Sequence, residues 1–200
     1  MKTPLILASS SPFRQSILKK LMLPFASFSP DVDEQALEGE SAQQLVARLS
    51  ESKAKAAIAK YQQGVVIGSD QVALFNGEIL GKPHNKENAI KQLSLFSNNR
   101  VTFLTGLTVF DIESGKTVTE VVPFHVYFRQ LTQTQLSNYC DAETPYDCAG
   151  SFKSEGLGIC LFDKLEGEDP NTLIGLPLIQ LTKALLTFGI DVLAEQSGQQ

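Results

Sequence analysis

"VVIGSDQVALFNGEILGKP", residues 65–83, decides how the chain is read. Val65, Val66 and Ile67 are apolar at every position, the pattern of a strand buried on both faces. The run ends in Gly68 and Ser69, and the carboxylate of Asp70 follows. The same pattern stands near the N-terminus, where Leu5-Ile6-Leu7-Ala8 runs into Ser9. Small residues at strand ends let a ligand approach the backbone. In α/β sheets the crevice beyond the carboxyl ends of the strands is the usual ligand site. Asp70 is therefore a candidate base, and an ordinary polar residue closing a strand is the alternative.

Gly81-Lys82-Pro83 has the look of a nucleotide-binding loop but fails its pattern. Three residues, not four, separate Gly77 from Gly81, and Pro83 stands where Ser or Thr is required. Lys82 is left either as an ordinary exposed turn lysine, the commoner case, or as a turn contact for a phosphate.

Around this stretch, strands alternate with helices. Residues 4–23 read as a strand, a serine-rich turn and a helix with Pro12 in its first turn. Ser9, Ser10 and Ser11 with Arg14 make a candidate anion cradle of hydroxyls, amides and one guanidinium; plain helix capping explains the serines equally well. Residues 27–40 form an acidic loop. Ser41 with Gln44 forms a capping box for the next helix. On that helix Leu45, Leu49, Lys53 and Ala56 share one stripe, so Lys53 interrupts an apolar face. It either snorkels to water or points into a phosphate-lined cleft.

A third helix is expected from Asn85 or Lys86 to about Ser97, and a long hairpin from Val101 to Leu131 turning at Glu113-Ser114-Gly115. A helix from Thr132 to about Asp141 follows. Residues 148–175 are expected to be strands joined by functional loops, and Pro177 to about Phe188 the last helix. The fold class expected is α/β, a mixed twisted β-sheet flanked by helices. Residues 1–193 are taken as one domain and 194–200 as a frayed polar tail.

The chain has 200 residues, 42% of them hydrophobic, enough for a well-buried core. A formal net charge of −5 argues against a nucleic acid polymer as partner. Cys140, Cys148 and Cys160 lack paired-cysteine spacing, and His84 and His125 are far apart, so a zinc site is not expected and the thiols are read as reduced. The apolar run after Met1-Lys2-Thr3-Pro4 is too short for a signal peptide, and no stretch suits a membrane span. The expectation is a cytoplasmic protein without a membrane partner. Asp33 and Glu34 sit in a loop that could fold over Asp70, and two or three converging carboxylates near phosphate suit a divalent metal; ordinary solvated charge is the alternative for Asp31, Asp33, Glu38 and Glu40.

"LILASSSPFR", "DVDE", "SKAKA", "VVIGSDQV", "GKP", "TGLTVF", "CAGSFKSEGLGI" and "DPNTLIGLPL" occur in this order across nearly the whole chain. In that arrangement the sequence resembles the Maf family of nucleoside triphosphate pyrophosphatases. "SFKSEG" and "DPNTLIGLPLI" resemble its YceF branch, which acts on 7-methyl-GTP. The departure is Phe13, where the family often has arginine.

The resemblance implies a Maf/ITPase-like architecture with a cleft between two lobes. It also implies hydrolysis between the α and β phosphates with a divalent cation, Mg2+ or Mn2+, and a homodimer. By the same resemblance Asp70 is the proton acceptor. Arg14, Lys53 and Lys82 are its phosphate-contacting cations, to which the cradle reading adds Ser9 and Ser11, and Glu34 lies near the metal and phosphates. Phe13, Gln71 and Glu155 choose the base. A broader pyrophosphatase acting on GTP, UTP or dTTP, and a nucleotide-binding regulator of cell division, stay open as alternatives.

Overall fold

In a computed structural model describing residues 3–198, strand β1 (Leu5–Ala8) is buried at every residue. It lies parallel to β2 (Phe25–Phe28) and to β3 (Val65–Phe75). Covered on both faces, such a strand must be apolar throughout. Leu5 and Leu7 join Ile17, Leu18, Leu181 and Leu185 in one core cluster, and Ile6 and Ala8 join Ala54, Ala57, Val66 and Phe110 in another. Successive side chains point to opposite faces, which divides the clusters this way.

The remaining strands are β4 (Glu78–Leu80), β5 (Arg100–Asp111), β6 (Thr117–Phe128) and β7 (Phe162–Glu166). The seven strands pair in the order β2-β1-β3-β5-β6-β7, with β4 on β3. β4 and β7 run antiparallel to β3 and β6, so the sheet is mixed, as expected. The helices are α1 (Pro12–Leu18), α2 (Ala42–Lys55), α3 (Lys86–Phe96), α4 (Gln133–Glu143), α5 (Asn171–Ile174) and α6 (Leu178–Thr187). Capping boxes start α2 at Ser41 and α4 at Thr132.

The chain divides into two compact units. The first takes in the described residues up to Asp70, Thr105–Val122 and those from Asp169 on. In it, two glycines bring α2 onto the sheet. A Cβ on Gly106 would lie 2.1 Å from the Val46 carbonyl, and one on Gly68 would lie 2.1 Å from the Ser50 carbonyl. No other residue fits under the helix there. The second unit comprises Gln71–Leu104 and Pro123–Glu168. Its core holds Phe96, Phe103, Phe128, Phe152 and Phe162, whose rings meet edge-on or tilted at 4.9–5.6 Å, arrangements aromatic quadrupoles favour.

Two expectations need correction. β3 does not end at Ser69; it runs on to Phe75, so Asp70 lies inside a strand. What stops is the pairing with β1, whose last partners are Ala8 and Gly68. Residues 148–175 hold one strand, β7, rather than several. The rest forms 3-10 turns at Ala149–Ser151 and Leu157–Leu161 and the short helix α5; glycines at 150, 156 and 158 turn the chain too tightly for a ladder. In the tail, Ala194–Gly198 makes a 3-10 turn, and the Gln196 amide donates to the carbonyls of Leu21 and Val192. Met1, Lys2, Gln199 and Gln200 lie outside the described residues. Among the described residues no helix is long and apolar enough to cross a membrane.

Candidate functional site

Lys53 is the residue around which the first unit gathers its charges. It lies on the buried face of α2 with Leu45, Val46, Leu49, Ser50 and Ala54, as its place on the apolar stripe requires. It does not snorkel to water: 7% of its surface is exposed. Its Nζ donates to Asp70 Oδ1 at 2.7 Å and lies 2.6 Å from Glu34 Oε1. Val46 meets Gly106 and Ser50 meets Gly68, one helical turn apart, so the next turn carries Lys53 to Asp70. The attraction between Lys53 and Asp70 is screened far less than that of an exposed pair, and loss of either partner would leave the other charge buried.

Glu34 reaches Lys53 from the acidic loop, and its side chain is 63% exposed. That loop is tied to α2 by Arg48, which donates to Glu40 Oε1 at 2.6 Å, Glu40 Oε2 at 2.8 Å and the Gln35 carbonyl at 2.9 Å. Arg48's hydrogen bonds hold the Glu40 carboxyl at about 2, well below its ordinary value. Glu40 is thus an anchor and not the solvated charge its sequence context suggested. No regular spacing links residues 40 and 48 across a loop and a helix start, so the pair left no signal in the sequence.

The serine turn caps α1. Ser11 Oγ accepts the Arg14 N–H at 3.4 Å, and Ser9 Oγ accepts the Ser11 N–H at 3.1 Å. Each hydroxyl thereby keeps its own proton to donate. Arg14 sends Nε to the Gly175 carbonyl at 3.0 Å. Burial is the largest influence on this guanidinium and pulls its pKa down, while the negative charges of Asp70 and Glu34 oppose the shift. An arginine remains a cation under such conditions.

Gly175 is the contributor that sequence reasoning missed. Its carbonyl also accepts the Ser69 hydroxyl at 2.9 Å, so one oxygen joins the residue before Asp70 to Arg14. The glycine closes α5 in the left-handed region, φ +105°, and a Cβ there would lie 3.2 Å from Arg14 Nε. Asp169, 1% exposed, fixes this segment by accepting the N–H groups of Asn171 and Ile179, each at 2.8 Å. A glycine followed closely by Pro177 signals a helix end, but nothing in the sequence tells which side chains its carbonyl receives.

Within the first unit, Lys53 joins Glu34 to Asp70, and the charges of both carboxylates act on Arg14. Ser9 and Ser11 lie in the turn that starts the helix of Arg14, and Phe13 lies on that helix, 39% exposed. Gln71, Lys82 and Glu155 belong to the second unit. Gln71 follows Asp70 in β3 and is half-buried, Lys82 is exposed in the loop between β4 and α3, and Glu155 is exposed in a tight loop after α4. Two carboxylates drawn to one ammonium from a loop and a strand are hard oxygen donors suited to a divalent cation that also takes phosphate oxygens. Among the described residues no group of three or more histidine, cysteine or acidic side chains is gathered for a metal held by protein alone.

Fold and site define an α/β protein with a sheltered lysine–aspartate pair at the point where parallel pairing ends, flanked by an arginine and a second carboxylate. The chain belongs to the Maf family: the model described as Maf-like protein matches residues 4–188. It is 66% identical over 198 residues to the 7-methyl-GTP pyrophosphatase of Pseudoalteromonas translucida, covering 99% of this chain and 98% of that one. It is 60% identical over 197 residues to the 7-methyl-GTP pyrophosphatase of Colwellia psychrerythraea, covering 98% of each. The like-named protein of Vibrio vulnificus is 57% identical over 189 residues, 94% of this chain and 97% of its own. Among solved structures, the Ham1 protein of Staphylococcus aureus matches with a TM-score of 0.44 and 18% identity over 62% of this chain and 71% of that one.

Proposed function

We propose that this chain is a nucleoside triphosphate pyrophosphatase that hydrolyses 7-methyl-GTP to 7-methyl-GMP and pyrophosphate, clearing a modified nucleotide. The observation that carries the chemistry is the joining of Asp70 and Glu34 on Lys53 beside Arg14. The names of relatives 54–66% identical support the substrate.

Phosphoanhydrides resist hydrolysis because their negative oxygens repel an incoming water. Arg14, Lys53 and Lys82 are the cations assigned to the phosphates, and they supply positive charge there. The Ser9 and Ser11 hydroxyls donate to phosphate oxygens. When the triphosphate enters, Lys53 exchanges its carboxylate partners for phosphate oxygens. Asp70 orients the attacking water and takes its proton, a contribution of about 10²–10⁴-fold. The bond between the α and β phosphates breaks and pyrophosphate leaves. Glu34 and Asp70 would hold a divalent cation, Mg2+ or Mn2+, which supplies charge neutralisation to the phosphates when bound.

Base choice is assigned to Phe13, Gln71 and Glu155. The guanine edge presents N1–H and amine donors that a carboxylate such as Glu155 accepts. Methylation at N7 makes the base cationic, which suits an aromatic face such as Phe13 at about 0.5–2 kcal/mol. A homodimer and a cytoplasmic location belong to the same reading.

The test is pyrophosphate release from a panel of 7-methyl-GTP, GTP, UTP and dTTP with Mg2+ or Mn2+. Preference for 7-methyl-GTP, lost on chelation, is expected. Equal turnover of UTP would instead make the enzyme a broad pyrophosphatase, and tight binding without turnover would make it a nucleotide-binding regulator.

A further inference from the structure

Helix α4 ends on a residue that helix electrostatics disfavour. Glu143 lies in the last turn, where the exposed carbonyls present negative charge and a cation is preferred. Thr144, with φ 46°, closes the helix. A carboxylate in this place is stabilised only by a partner, and it has two, both in the loop that carries Glu155. Lys153 donates from Nζ to the Glu143 carbonyl at 2.7 Å and lies 3.5 Å from Oε1. Its ammonium thus sits where the helix end calls for positive charge. The other carboxylate oxygen, Oε2, accepts the Leu157 N–H at 2.8 Å.

Lys153 precedes Glu155 by two residues and Leu157 follows it by two, so one glutamate grips the loop on both sides of its tip. Tyr139, one turn back on α4, accepts the Lys153 N–H on its phenol oxygen at 3.1 Å. The loop also closes on itself, the Lys153 carbonyl accepting the N–H groups of Gly156 at 3.3 Å and Gly158 at 3.1 Å. Two close approaches favour glycine, that at Gly158 against backbone and that at Gly156 against the Glu143 carboxylate itself. A Cβ on Gly156 would lie 2.8 Å from Glu143 Oε2, and one on Gly158 would lie 2.2 Å from the Lys153 carbonyl. Glu155 stands exposed on this locked loop, with the Ser154 hydroxyl 3.4 Å from Oε2.

We infer that Glu143 is a positioning residue for base selection, holding the 153–158 loop so that Glu155 meets the nucleobase in one orientation. The inference rests on the reading of Glu155 as the residue that chooses the base. A carboxylate on a free loop loses conformational entropy each time it engages a ligand, whereas one held beforehand does not, and discrimination between bases rises accordingly.

The experiment measures kcat/KM for 7-methyl-GTP and for GTP in the full chain and in Glu143→Ala, Glu143→Gln, Gly156→Ala, Glu155→Gln and the Glu143→Ala/Glu155→Gln double variant. Glu143→Ala is expected to lower the 7-methyl-GTP to GTP ratio about fivefold, the worth of one positioned hydrogen bond. Glu143→Gln, whose amide oxygen still accepts the Leu157 N–H, should recover part of that ratio. Gly156→Ala leaves the glutamate in place but crowds its carboxylate, and should shift the ratio in the same direction. Adding Glu143→Ala to Glu155→Gln should change the ratio no further. Binding of inorganic triphosphate should match the unaltered chain throughout, which also reports that the variants fold. A wild-type ratio in Glu143→Ala and Gly156→Ala, with the ratio reduced in Glu155→Gln, overturns the inference and spares the role of Glu155. A wild-type ratio in Glu155→Gln overturns both.

Discussion

Lys53 Nζ lies 2.7 Å from Asp70 Oδ1, joining the buried face of a helix to a strand seventeen residues later. The pair explains why a lysine sits among Leu45, Leu49 and Ala54.

Asp70→Asn keeps the shape of the side chain and an amide oxygen that still accepts the Lys53 hydrogen bond. The fold should therefore hold, while kcat falls about 10²–10⁴-fold. Turnover beside circular dichroism checks this, and activity near that of the unaltered enzyme would remove Asp70 from the base role.

Ser69→Ala leaves the Gly175 carbonyl with Arg14 and without the Ser69 hydroxyl. Stability should fall by about 1 kcal/mol. Because Gly175 orients Arg14, KM for the nucleotide should rise more than kcat falls. Thermal melts and steady-state kinetics separate the two effects; an unchanged KM would show that the shared carbonyl does not govern Arg14.

Gly68→Ala would place a Cβ 2.1 Å from the Ser50 carbonyl, a backbone atom that cannot rotate away. Helix α2 must move off the sheet, at about 3 kcal/mol or more. The shift would also withdraw Lys53 from Asp70, so the surviving folded protein should be less active. Denaturant unfolding and turnover read both, and a variant as stable as the parent would refute the close contact.

Arg48 sets a pH signature. It holds Glu40 at about 2, below the ordinary 4.5, so the folded state binds its proton less readily than the unfolded chain. The stabilisation is present above 4.5 and is lost as pH falls through about 2. The difference in Tm between the unaltered chain and Arg48→Ala should be largest above pH 4.5 and should shrink toward pH 2. A difference that stays constant over this window would mean that Arg48 stabilises the loop without Glu40.

Periodicity and turn chemistry made much of the architecture legible. Runs apolar at every residue announced buried strands at Leu5–Ala8 and Val65–Ile67, and the structure pairs the two in parallel. Ser41 with Gln44 and the stop at Glu113-Ser114-Gly115 announced a helix start and a hairpin turn, because such signals act within a few residues. The length of β3 was not legible, since Gly68, Ser69 and Asp70 together imitate a strand end and only the partners beyond them keep the backbone extended. β2 and β4 are short and flanked by polar loops, so pairing defines them rather than pattern.

For the site, the sequence by itself determined the residue types: a lysine on an apolar stripe, a carboxylate after a buried strand, serines and an arginine at a helix start. Those are local facts of spacing and chemistry. Tertiary structure alone decided that Lys53 joins Asp70 to Glu34, that Gly175 receives both Ser69 and Arg14, and that Glu143 grips the loop of Glu155. Each of these contacts is made by a backbone carbonyl, a backbone N–H or a charge brought in from a distant segment. Every residue carries such backbone groups, so only packing selects which of them a side chain meets.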